Sequence, residues 1–190
     1  MQRSRRFPSV SVAHYALIEA LRSGLPWLAF ACLLAVAGLA LFLSRVAISE
    51  GAAMQAAVAA SLLRACAVFM IAAHVVGSVA REANDKGLEL ALALPVSRPA
   101  YYLGKLLGFG AVGALLACAL ALPLFAWGRP GDVAAWALSL AVECALVAAA
   151  ALLFASVLTQ GIAAIAATFA LYVLARAMAA IQAIASGPLA

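Results

Sequence analysis

Residues 25–44 read LPWLAFACLLAVAGLALFLS, twenty residues without a charge. At 1.5 Å per residue such a helix crosses the hydrocarbon core of a bilayer, which takes about 20 apolar residues. Four further apolar blocks of similar length follow, at roughly 53–80, 104–127, 133–158 and 161–185. With 68% hydrophobic and 10% charged residues among 190, the chain departs from a soluble domain, which is nearer half apolar and a quarter charged. This composition excludes a water-soluble enzyme, a nucleic-acid-binding domain and a disordered tail. The expected fold is an all-α membrane protein, a bundle of five transmembrane helices, or six if one block holds two passes. The short connections at 45–52 and 128–132 predict antiparallel neighbours.

Residues 1–24 are expected to form a cytoplasmic N-terminus with an interfacial helix, and 25–190 the transmembrane domain. Within 12–23, His14, Glu19, Arg22 and Ser23 fall on one half of a helical wheel; Val10, Ala13, Leu17 and Leu21 fall on the other. That pattern suits a helix lying in the membrane interface. Glu19 and Arg22 separate the basic start from the first apolar block, which argues for a retained N-terminus over a signal peptide.

One connection, 81–103, is both long and charged. Together with the N-terminal stretch it carries Arg3, Arg5, Arg6, Arg22, Arg81, Lys86, Arg98 and Lys105, whereas the opposite side carries Arg45 and Arg129. The imbalance places the N-terminus and 81–103 in the cytoplasm. Tyr101, Tyr102 and Lys105 suit an interfacial belt with a snorkelling ammonium. Asn84-Asp85-Lys86-Gly87 reads as a helix stop with Gly87 as the left-handed residue. Residues 88–94 can form two turns along the membrane face, ended by Pro95. Ser97 then serves as N-cap of the next span, with Pro99 in its first turn.

Glu82, Gly87, Glu89, Leu94-Pro95-Val96-Ser97-Arg98, Tyr102 and Gly104-Lys105 resemble the first intracellular loop of type-2 ABC exporter permeases, most closely those grouped with copper-enzyme maturation systems. The resemblance runs over about residues 10–185. It implies a multi-pass permease subunit of the bacterial cytoplasmic (inner) membrane that works with a cytosolic ABC ATPase and with a second permease copy or similar chain. It also implies that 81–103 is the coupling segment, with Glu82, Gly87, Glu89, Pro95, Ser97 and Arg98 at the ATPase contact. Those permeases usually have six spans. Five blocks here leave two readings: a sixth span lost by truncation, or two passes in one block.

No GxxxxGK[ST] is present, so ATP falls to another chain; no cofactor is expected. No metalloprotease or serine-hydrolase motif occurs either, and the chain is not expected to be an enzyme. Arg64, Glu143 and Arg176 interrupt the apolar blocks. Charges at such depth are costly and face protein or water. Arg64 and Glu143 lie at matching depth and are expected to be close; Arg176 lies nearer the outer face. The group is either a polar point on a substrate path or an ion pair holding the bundle together. Cys66, Met70 and His74, spaced by four, form one stripe. They are either soft ligands for a copper(I)-like ion or ordinary packing with one histidine. The four cysteines, Cys32, Cys66, Cys118 and Cys144, lie in apolar blocks without a CxxC pair, which suits reduced small hydrophobes. Gly104-x-x-x-Gly108 allows close helix approach. The alternative to a permease is a non-transporting membrane anchor that recruits cytosolic partners through 81–103.

Overall fold

The structure, a computed structural model, describes residues 8–46, 51–84, 98–126, 128–158 and 160–185. All-helical among these residues, it consists of α1 (Pro8–Arg22), α2 (Leu25–Val46), α3 (Gly51–Asn84), α4 (Arg98–Ala121), a 3₁₀ turn (Leu122–Ala126), α5 (Pro130–Val157) and α6 (Gly161–Ala185). Four of these helices, α3 to α6, are long and apolar enough to cross a membrane. The α1–α2 pair passes the same test as one unit bent by 56°. Each apolar block forms one α-helix, the third continued by the 3₁₀ turn, so no described block holds two passes.

The helix boundaries have local causes. Ser23 ends α1, its N–H bonding the Glu19 carbonyl at 2.8 Å, and its hydroxyl accepts from the Leu25 N–H at 3.3 Å to cap α2. Gly24 follows, and the chain bends here. Pro123 lacks an N–H and its ring crowds the carbonyl four residues back, so α4 tightens into the 3₁₀ turn just before it. Arg129 is extended, and Pro130 with its preset φ opens α5; Asp132 in the first turn complements the positive end of the helix dipole.

α3 is the hub. Leu63, Ala67, Val68, Ile71, Ala72, Val75 and Val76 are all nearly or fully buried, at helical spacing, and α3 packs against α2, α4, α5 and α6. α1 lies along α4, burying Ala16 and Ala20. Small residues set two of the closest approaches. A Cβ at Gly108 of α4 would stand 2.7 Å from Ala16 Cβ of α1, and one at Gly113 would stand 2.8 Å from Cys144 Cβ of α5. Neither distance is tolerable, so glycine is required at both places. The periphery is the reverse of a soluble protein's: Trp27, Leu41, Leu138, Leu146 and Ile162 are each more than half exposed. Contiguous apolar surface of this kind belongs in lipid.

Candidate functional site

Two polar clusters interrupt the apolar bundle. The first lies at the end from which the 85–97 connection leaves α3 and returns to α4. Glu82, in the last turn of α3, accepts from the Tyr101 hydroxyl with one carboxylate oxygen and from the Lys105 ammonium with the other. Tyr101 and Lys105 occupy the first two turns of α4 on one face, being four residues apart. Ser78, one helical turn before Glu82, and Arg81, its immediate neighbour, each donate to Glu19 of α1 at 2.9 Å. Three helices are thus joined by two carboxylates, around a cleft of about 420 Å3 that Tyr15 also lines.

This geometry corrects one expectation. Lys105 does not snorkel to the interface: it is 8% exposed, with its ammonium over the Tyr101 and Phe109 rings at 5.5 and 6.0 Å. A carboxylate within reach in the bundle outcompetes water for the cation, and the two ring faces add to the attraction. Tyr102 remains outward-facing, as an interfacial aromatic does. Glu82 is engaged inside the chain by both its oxygens. Of the other coupling-segment residues, Gly87, Glu89, Pro95 and Ser97 lie outside the described residues, and Arg98 is the first residue of α4.

The second cluster lies deep in the bundle. Arg64 Nη1 of α3 donates to Glu143 Oε2 of α5 at 2.7 Å, both side chains about 15% exposed. The Tyr172 hydroxyl of α6 donates to Glu143 Oε1 at 3.0 Å, and Arg176 Nε stands 3.9 Å from that same oxygen. The Arg64 guanidinium also lies over the Trp136 ring, 5.6 Å from its centroid. One carboxylate therefore joins α3, α5 and α6, and all three deep charges of the sequence meet at it. Tyr172 and Trp136 were not singled out in the sequence. Tyr172 had a readable signal, since it sits four residues before Arg176 and shares its helix face; a tryptophan over Arg64 had none.

Cys32 of α2 stands beside Cys66 of the Cys66, Met70 and His74 stripe, but the group goes no further. Among the described residues no three His, Cys, Asp or Glu side chains converge on a possible metal position. Met70 and His74 are buried, Cys66 is half-buried, and the His74 ring meets Phe109 edge-on at 6.0 Å, with its Nε2 unpartnered.

A helical membrane bundle of this layout, with a polar joint at the base of its long connection, is matched over residues 48–189 of 190 by the family described as ABC-2 family transporter protein. The chain belongs to the ABC-2 transporter family. The matched range takes in α3 to α6, with the deep cluster and the Glu82–Tyr101–Lys105 joint, whereas α1 with Glu19 and α2 precede it. A search of curated proteins finds no match. Membership makes this ABC-2 chain a membrane component of a transporter. It also bears out the chain's resemblance to type-2 permeases.

Proposed function

We propose that this ABC-2 protein is the permease subunit of an ATP-driven exporter in a bacterial cytoplasmic membrane, with a separate ATPase seated on the 85–97 connection. The N-terminus and that connection face the cytoplasm in this reading, and a second copy or similar chain completes the transport path. Among such permeases we place it with those grouped with copper-enzyme maturation systems, on the Leu94-Pro95-Val96-Ser97-Arg98 stretch.

The observation that carries the reading is the grip of Tyr101 and Lys105 on Glu82. It ties the two helices that the connection joins, within one turn of where α3 ends. A load on the connection would pass into α3 and α4 together, and through Arg81 and Glu19 into α1. A helix pair free to splay at that point would dissipate the load. Glu89 is then the acid available to basic groups of the ATPase, with Gly87 and Pro95 setting the angle of the short 88–94 segment.

The test is pull-down of the cognate ATPase with its hydrolysis rate. Glu89→Lys is expected to weaken association by on the order of 1 kcal/mol through like-charge repulsion. Pro95→Ala removes the break and lets the short segment run on towards α4, misplacing the surface without unfolding the bundle. If both variants bind and couple like the unmodified chain, the connection is a solvated loop, and the coupling reading loses its residue-level support.

A further inference from the structure

The deep cluster holds two guanidinium groups and one carboxylate. Glu143 Oε2 is taken by Arg64 at 2.7 Å, and Oε1 by the Tyr172 hydroxyl at 3.0 Å. Arg176 stands beyond hydrogen-bond distance of that oxygen at 3.9 Å, with its side chain 53% exposed. Among the described residues no other carboxylate is within ion-pair distance of it. The cluster thus carries one net positive charge in a segment where an unmatched charge is costly. Arg176 lies within two turns of Gln182, where its apolar span ends, at the end of the bundle remote from the 85–97 connection.

Beside Arg176 runs a groove of about 240 Å3 between α5 and α6, with Glu143, Tyr172 and Arg176 at one end. Its remaining walls are mostly apolar, chiefly Leu146, Ala150, Leu171 and Ala175, and the hydroxyl of Thr168 is turned back onto the Ala164 carbonyl. Leu146 and Leu171 are themselves largely exposed, so the groove opens on the surroundings of the bundle and not into its core. An apolar trough ending at a cation that shares its one carboxylate with Arg64 is complementary to a molecule with one anionic head and a hydrocarbon tail. A guanidinium binds a phosphate diester by charge-assisted, two-pronged hydrogen bonds. A long cationic side chain near the end of a span reaches the level at which lipid phosphates lie.

We infer that the α5–α6 groove is a binding site for an anionic phospholipid, its phosphate on Arg176 and an acyl chain along Leu146, Ala150 and Leu171. The site requires no ATPase, so its test is independent of the coupling reading above.

The test uses the full chain in detergent, with Trp27→Phe and Trp127→Phe leaving Trp136, which stacks on Arg64 beside Glu143. Phosphatidylglycerol with brominated chains is titrated in, and equally brominated phosphatidylcholine serves as the neutral control. Quenching of Trp136 is expected at about tenfold lower phosphatidylglycerol than phosphatidylcholine, the ratio for one charge-assisted contact. Arg176→Gln should close that gap while helicity is kept, since the side chain is half-exposed and supports no core packing. Ala150→Leu, which fills the trough, should raise the midpoint for phosphatidylglycerol with Arg176 intact. Equal quenching by both lipids, or a preference that survives Arg176→Gln, overturns the site. So does inorganic phosphate protecting against thermal unfolding as well as phosphatidylglycerol does, because the groove would then contribute nothing.

Discussion

Arg64 and Glu143 meet at 2.7 Å between α3 and α5, and Glu143 is simultaneously the acceptor for Tyr172 of α6. Three helices whose facing surfaces are otherwise apolar are thereby fixed in relative rotation. Breaking a buried pair from one side leaves the other charge stranded, which typically costs about 3–5 kcal/mol.

Arg64→Ala and Glu143→Ala should therefore each destabilise the bundle by more than their double variant implies by addition. The expected coupling is on the order of 1–3 kcal/mol, measured by unfolding in detergent across the double-mutant cycle. Additive losses would mean that the pair contributes no joint stability.

Tyr172→Phe keeps the ring and deletes one donor to Glu143. The expected loss is about 1 kcal/mol in the same unfolding assay. In the Glu143→Ala background the substitution should cost little, because its acceptor is gone. An equal loss in both backgrounds would assign the hydroxyl to some other role.

Gly113→Ala should destabilise by about 1–3 kcal/mol, because the added methyl meets Cys144 Cβ at 2.8 Å and α4 must back away from α5. Gly110→Ala, three residues earlier on the same helix, meets nothing within 4 Å. It should be neutral or stabilising by up to about 1 kcal/mol from helix propensity alone. Thermal melts of the two variants side by side check this, and similar melting temperatures would contradict the packing.

Glu82→Gln should lower the stability of the α3–α4 joint, since Lys105 is buried and loses its carboxylate. Pairing it with Lys105→Met, an apolar side chain of similar length, should recover most of the loss, as replacing both partners of a buried pair often does. By contrast, Glu89→Lys should leave stability unchanged. A rescue that fails would mean that Glu82 acts elsewhere than on Lys105.

Orientation is checked by single-cysteine labelling in a cysteine-free background. Position 88 should react with an impermeant reagent only from the cytoplasmic side, and position 129 only from outside. Labelling of position 88 from outside would invert the topology on which the coupling reading rests.

Membership of the membrane class, the number and limits of the apolar helices, and the long charged connection were legible along the chain. Each depends on a one-dimensional property: run length, charge spacing, or a Pro or Gly at a break. The approach of Arg64 to Glu143 was legible for a similar reason, because two helices threaded through the same slab bring equal depths to the same level. What only the tertiary structure decided is rotation about each helix axis. In α5 and α6 nearly every face is apolar, so hydrophobic periodicity does not distinguish the side that meets protein from the side that meets lipid. The choice falls instead to small-residue contacts such as Gly108 on Ala16 and Gly113 on Cys144, whose partners lie on other helices. Those contacts fix how α4 faces its neighbours and so turn Lys105 inward to Glu82, while in α6 the facing that sets Tyr172 on Glu143 leaves Arg176 at the groove. Depth was set by sequence order, and facing by close packing.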